Sequence, residues 1–345
     1  MSTSAECTSM FREAAQAPEI VRMQLEANAA QVARLAERLR RVPPRAVVTC
    51  ARGSSDHAAT FARYLIETRL GLLTSSAAPS VSSVYAAATD LAGTLMLTIS
   101  QSGASPDLLA VVSRAREAGA FIVAVVNAER SPLAQLADEL LPLHAGPERA
   151  VAATKSYIAS LAAIVQLVAA WTGDQTLAAA LAQAPQLLSR AWQLDWSAAV
   201  RRLTAANNLY VIGRGLGLGI AQEAALKFKE TCGLHAEAVS AAELRHGPMA
   251  LVRAGFPLLL LSQNDESRAG VLELATDLSV AGADVLLAGA HLAPATELPT
   301  VQGAHPVIEP LLFAQSFYRM ANALALARGH DPDAPPNLSK VTETL

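Results

Sequence analysis

Cysteine is nearly missing from this chain of 345 residues. Cys7, Cys50 and Cys232 are its only three, too few and too scattered for a disulfide framework or a zinc cluster. Basic blocks are missing too. Net charge is −3 with mixed signs, whereas a sequence-independent grip on nucleic acid needs a basic surface, so nucleic acid is not an expected partner. Long hydrophobic runs are also lacking. The longest, Tyr157 to Trp171, carries Ser160 and Gln166 and falls short of the ~20 residues a spanning helix needs. It reads as a buried helix, and no membrane partner is expected. The N-terminus is charged from Glu6 onward and has no apolar signal core, which points to the cytoplasm.

What is present is a folding chain. Apolar residues make up 52% and charged residues 17%, a balance that excludes disorder. The length suffices for two domains with a core each. Residues 10–41 carry helical spacing and end at Pro43-Pro44. "AVVTC" (46–50), "TLMLTIS" (94–100) and "FIVAVVN" (121–127) are continuous aliphatic runs, the pattern of parallel strands covered on both faces. Helical patterns fill the gaps between them, giving a βαβ array.

The second half repeats the order. "NLYVIGRGLG" parallels "AVVTCARGSS", "FPLLLLSQND" parallels "TLMLTISQSG", and "DVLLAGA" parallels "FIVAVVN". Arg-Gly at 52 and 214, and Ser-Gln at 100 and 262, recur at one offset of 162 residues. The fold class expected is therefore α/β with two tandem, doubly wound parallel sheets. Its parts are a helical segment at 1–44, a first domain at 45–171, a helical connector at 172–206, a second domain at 207–330 and a tail at 331–345.

The duplication makes one loop informative. In the first copy the turn after the strand reads Ser100-Gln101-Ser102-Gly103-Ala104-Ser105. Small hydroxyls and exposed amides there suit an oxyanion. In the second copy the turn carries Asp265 and Glu266, which suit a helix dipole but repel a phosphate. Ser54 and Ser55 follow Arg52-Gly53 at the carboxyl end of the first strand, where ligands of open α/β sheets bind. Ser55 offers a further hydroxyl to the same anion. The plainer reading of both loops is helix capping by serine.

Between 219 and 250 ionisable groups gather in apolar company. Glu223, Lys227 and Glu230 stand at i, i+4 and i+7, one face of a helix. Two readings stay open for them. One is an exposed salt-bridged stripe. The other is a cleft in which burial lifts the pKa of Glu230 into a proton-transfer range. His235 and His246 follow without metal-ligand spacing, so no metal and no other cofactor is expected. His246 precedes Gly247-Pro248 on a rigid turn, and Lys340 follows a double proline in the polar tail.

"SQSG", "ATKSY" at 153–157, "GRG", "EAALKFKE", "HAEA", "ELRHGPMAL" and "NLSKVTETL" resemble, in this order, the sugar isomerase (SIS) domain family. The likeness runs from about Met10 to Leu345. Within the family it is nearest to the isomerase half of the glutamine–fructose-6-phosphate aminotransferases and to the SIS-type glucosamine-6-phosphate deaminases. The resemblance implies a sugar-phosphate grip from Ser55, Ser100, Gln101, Ser102 and Ser105, with Val151 and Ala152 lining the sugar. It implies Glu230 as the base between C1 and C2, with Lys227 one turn before it. It also implies His246 as a ring-opening group reaching a neighbouring subunit of a homodimer, and Lys340 as the lysine that closes on the substrate. Ser105 stands where the family commonly has Thr, and Ala104 where it often has Glu. The aminotransferases carry a glutaminase whose nucleophile is a cysteine directly after the initiator Met. Here residue 2 is Ser, and no room for a glutaminase is expected. That departure favours an amino sugar phosphate deaminase. A fructosamine-phosphate deglycase, a galactosamine-6-phosphate deaminase and a non-catalytic sugar-phosphate regulator are the alternatives.

Overall fold

Six strands form where the sequence runs apolar without alternation, and with four others they assemble into two parallel sheets. The structure, a computed structural model, describes residues 5–340. The first sheet holds β1 (Val47–Cys50), β2 (Thr74–Ser76), β3 (Leu95–Ser100), β4 (Phe121–Val126) and β5 (Glu139–Pro142). The second holds β6 (Asn208–Gly213), β7 (His235–Ser240), β8 (Pro257–Leu261), β9 (Asp284–Ala288) and β10 (Thr296–Leu298). Their orders are β2-β1-β3-β4-β5 and β10-β9-β8-β6-β7. Read in opposite directions these are one topology, so the repeat seen in the sequence is a repeat of fold.

The six strands expected from apolar runs are the central ones, within a residue or two of their expected ends. All six residues of β3 are buried, as are the last five of β4. The four strands without such runs are β2, β5, β7 and β10, the sheet edges. An edge strand covers less apolar surface and is short, so its composition does not announce it. β7, the "HAEA" stretch, buries only Ala236 and Val239.

The N-terminal helical segment holds two helices, Ser9–Ala15 and Ala17–Arg41, broken at Gln16. The Thr8 side chain caps the first by accepting from the Phe11 N–H. Helix Lys155–Thr172, long and apolar enough to cross a membrane, is mostly buried in protein and packs on helix Ser54–Leu70.

Two compact units are built from interleaved stretches. One comprises 19–148, 155–182 and 339–340 and holds the first sheet. The other comprises 5–18, 149–154 and 183–338 and holds the second. In the first, Met96, Ile122 and Ala124 pack with Val111 and Val112 of helix Pro106–Glu117. In the second, Ile212, Leu258 and Leu260 pack with Val271 and Leu274 of helix Arg268–Val280. Each such buried aliphatic side chain contributes roughly 1.5–3 kcal/mol. The second unit also fixes the N-terminal arm. Thr8 Oγ1 donates to Asn322 Oδ1 at 2.7 Å, the Ser9 and Met10 N–H groups donate to Asp333, and Gln315 Nε2 donates to the Ala14 carbonyl.

Candidate functional site

In a sheet ordered β2-β1-β3 the chain reverses its winding between β1 and β3. Ligands of such folds bind outside the carboxyl ends of those two strands. The Ser100–Ser105 loop leaves β3 there, and Arg52-Gly53-Ser54-Ser55 leaves β1. Ser100 Oγ accepts from the Gly103 N–H at 3.0 Å, and Ser102 Oγ from the Ala104 N–H at 3.4 Å. Gly103 has φ +62°, and a Cβ there would collide with Ser131 Oγ, so both backbone and space require glycine. Its carbonyl accepts from the Leu133 N–H at 3.1 Å, which ties the loop to the turn after β4. Serine capping accounts for neither outer hydroxyl. Ser105 holds the N-cap position of helix Pro106–Glu117 without making a capping bond. The N-cap of helix Ser54–Leu70 is Gly53, so Ser55 sits in its first turn. Gln101, Ser102, Ser105 and Ser55 are half-buried and Ser100 is buried.

The corresponding crevice of the second sheet is filled by its own side chains. Gln263 is buried, and its Nε2 donates to the Arg214 carbonyl, to Asp265 Oδ2 and to Ser267 Oγ. Asp265 accepts from the N–H and hydroxyl of Ser267 ahead of helix Arg268–Val280, and Glu309 accepts from the Asn264 N–H. Carboxylates of the protein thus take the amides that a phosphate would use.

The second unit carries the proton chemistry. Helix Gly217–Cys232 lies against β7 and helix Glu309–Ala327, and its charged face points inward. Side-chain exposure is 0% for Glu223, 1% for Lys227 and 21% for Glu230. Lys227 Nζ stands 3.4 Å from Glu223 Oε1 and 2.5 Å from Glu230 Oε2. Tyr318 donates its hydroxyl to Glu223 Oε1 at 2.9 Å. Burial alone pulls the Lys227 pKa down, but Glu223 and Glu230 outweigh it and raise it above the ordinary lysine value. The ammonium therefore stays charged, and Glu230 is the accessible end of a buried array. The exposed-stripe alternative does not describe this helix. Gly233, at φ +55°, ends it by donating its N–H to the Phe228 carbonyl.

His246 closes the 3-10 turn Glu243–His246, is exposed, and precedes Gly247 at φ +138°. His235, Glu237 and Glu243 are exposed as well. Among the described residues no group of three or more His, Cys, Asp or Glu side chains is placed to hold a metal.

The segment after β5 holds residues that sequence reasoning missed. Glu148 is buried, accepts from the N–H and hydroxyl of Ser156 at 3.2 and 2.7 Å, and meets Lys340 Nζ at 3.2 Å. Lys155 donates to the Pro147 carbonyl at 2.6 Å. Between these residues run Val151, half-buried, and Ala152, buried. Glu13 accepts from the Arg149 and Ala150 N–H groups at the start of that run. Arg52 was also missed as a site residue. It pairs with Asp107 at 2.6 Å, beside the serine loop. Glu148 lies 192 residues from Lys340 and Arg52 55 from Asp107, so no local spacing could have revealed either pair.

Comparison with known proteins places this geometry. The model of the SIS domain matches residues 42–170 and 202–287. A glutamine–fructose-6-phosphate aminotransferase (isomerizing) of Aeropyrum pernix is 35% identical over 311 residues, 84% of this chain and 49% of the relative. The chain thus spans about half the length of the curated relatives it matches. A crystal structure from Silicibacter pomeroyi DSS-3, provisionally named a phosphosugar isomerase, matches at TM-score 0.91 and 43% identity, covering 94% of this chain and 100% of that one. Glucosamine-6-phosphate deaminase of Thermotoga maritima matches at TM-score 0.77 and 20% identity, covering 98% and 100%. At that identity it bears on the fold alone.

Proposed function

The chain belongs to the SIS domain family, and on that footing we propose that it is a phosphosugar isomerase acting as a deaminase. Glucosamine 6-phosphate and water give fructose 6-phosphate and ammonia. The observation that carries this reading is the buried Glu223–Lys227–Glu230 array with Glu230 at its accessible end. A sugar-phosphate regulator needs an anion site but gains nothing from a buried ammonium between two carboxylates. An enzyme that moves a proton between adjacent carbons does.

In the proposed reaction the hydroxyls and amides of Ser55 and Ser100–Ser105 hold the phosphate and fix the sugar chain, lowering the entropy cost of the proton transfer. His246, acting from a neighbouring subunit of a homodimer, helps open the pyranose. Glu230 takes the C2 proton and returns it to C1 through an enolamine. Water adds to the resulting ketimine at C2, and the C2–N bond breaks to release ammonia. Lys227 stays protonated and holds Glu230 in place. Lys340, seated on Glu148, closes on the substrate. Water is the one co-reactant this direction requires.

Incubating the pure protein with glucosamine 6-phosphate and measuring ammonia together with fructose 6-phosphate tests the reading. Equimolar release of both supports it. Turnover of a fructosamine phosphate with none of glucosamine 6-phosphate sinks it. The exposed Ala104 in the serine loop, where the family often has Glu, makes fructosamine phosphates and galactosamine 6-phosphate the comparison substrates. Activity that persists in forced monomers would contradict the role given to His246 across an interface.

A further inference from the structure

Arg52 stands at the mouth of the β1/β3 crevice and is not among the residues that the family resemblance assigns. Its side chain is 54% exposed while its partner Asp107 is 1% exposed. Nε and Nη2 both reach the same carboxylate atom, Asp107 Oδ2, at 2.8 and 2.6 Å. The other oxygen, Oδ1, accepts from the Leu108 N–H. A guanidinium has five N–H donors in a rigid fork, and one carboxylate oxygen uses one edge of it. That leaves donors of the fork beyond those spent on Asp107, on a side chain more than half open to solvent.

Charge gives these donors a purpose. The other groups of the crevice are serine hydroxyls, Gln101 and backbone amides, which carry no net charge. Two carboxylates stand near, Asp107 and Asp56, the latter in the first turn of helix Ser54–Leu70 and within the field of Arg52. His57 also acts on Asp56, whereas the buried Asp107 is paired with Arg52, and without Arg52 the charge of Asp107 repels a dianion. With it, a cation stands nearer the solvent than the buried carboxylate that holds it. The second sheet has an arginine at the equivalent position, Arg214, but Gln263 fastens to its backbone carbonyl and that crevice is filled.

We infer that Arg52, pinned across the switch point by Asp107, is a further ligand of the substrate's phosphate and sets preference for a phosphorylated sugar. The identity of the sugar rests on the function proposed above. The anion contact does not, because inorganic phosphate probes it without any turnover.

The test compares Arg52→Met and Asp107→Asn in the full chain. Phosphate affinity is measured by calorimetry, and KM and kcat are measured on glucosamine 6-phosphate. A charge-assisted hydrogen bond to phosphate corresponds to a loss of about 10- to 100-fold. Arg52→Met is expected to weaken inorganic phosphate and raise KM by that factor, with kcat within about threefold because the contact is remote from the reacting carbons. Its affinity for unphosphorylated glucosamine should not change. Asp107→Asn keeps an acceptor for Arg52 and removes a negative charge, so phosphate affinity should hold or rise. Equal losses in both variants, or a loss shared by the unphosphorylated sugar, make the pair a structural pin and overturn the inference. So does unchanged phosphate affinity in Arg52→Met. Should Arg52→Met fail to fold, Arg52→Lys decides. It keeps the charge but not the fork, and it must bind phosphate more weakly than the parent. If no amino sugar phosphate is turned over while phosphate binding follows this pattern, the function fails and the contact stands.

Discussion

Lysine is scarce in this chain. Of 27 basic residues only four are lysine, at 155, 227, 229 and 340. Lys229 is exposed, Lys155 and Lys227 are buried, and Lys340 is half-buried against Glu148. Three of the four lysines thus sit where a compact ammonium meets carboxylates or carbonyls. Replacing Lys227 by Met should therefore cost about 3–5 kcal/mol, because it leaves Glu223 buried without its counter-ion. Urea denaturation of the two proteins measures this. Because the folded pKa of Lys227 lies above its ordinary value of 10.5, its contribution is complete below that pH and disappears as pH rises through the folded value. The stability difference between parent and variant should thus stay level from neutral pH to about 10 and shrink beyond it. Glu230→Gln should bind substrate within a few-fold of the parent and lose roughly 100- to 10,000-fold in kcat. A rate near the parent's would make Glu230 only a partner of Lys227. The i, i+4, i+7 spacing of this face was legible in the sequence, but whether it pointed inward was not. That depends on helix Glu309–Ala327, where Tyr318 supplies the hydroxyl for Glu223 from 95 residues away.

At the scale of the element, the serine loop owes its shape to the strand before it and the glycine within it. β3 is buried throughout and ends at Ser100, whose hydroxyl turns the chain by accepting from Gly103. Gly103→Ala meets both a positive φ and Ser131, two costs that together should destabilise the protein by about 2–4 kcal/mol. The same change should weaken inorganic phosphate, since the loop amides shift with it. Calorimetric unfolding and phosphate titration check both parts, and a variant with normal phosphate affinity would show that these amides do not hold the anion. Central strands were legible because parallel strands buried on both faces leave a continuous apolar run. Edge strands such as β2 and β10, three residues each, leave no such trace. Nor does the segment from Pro147 to Ser156, whose form depends on its own Glu148 and on Glu13 and Lys340 from distant parts of the chain.

For the whole molecule, one topology used twice has diverged into one crevice lined by serine hydroxyls and one filled by carboxylate and amide side chains. Asp265 and Glu309 take amides of the second crevice, and Gln263 donates to the Arg214 carbonyl there. Inorganic phosphate should therefore bind with a stoichiometry of one per chain, and Ser102→Ala should weaken that single site. Two equivalent sites, measured by calorimetry, would contradict the division. The 162-residue offset made the duplication readable, and the acidic residues of the second turn made the divergence readable. The interleaving of the units was not, since it depends on which distant stretches pack together. It has a consequence for how the protein is made. Residues 5–18 are made before the whole of the first sheet, yet they belong to the unit whose remaining parts begin at 149 and 183, and domains otherwise tend to complete in order of synthesis. Thr8, Ser9 and Met10 must wait for Asn322 and Asp333 before their hydrogen bonds can form. Removing those contacts, as Asp333→Ala would for Ser9 and Met10, should therefore loosen the unit that bears Glu230 and leave the unit that bears the serine loop intact.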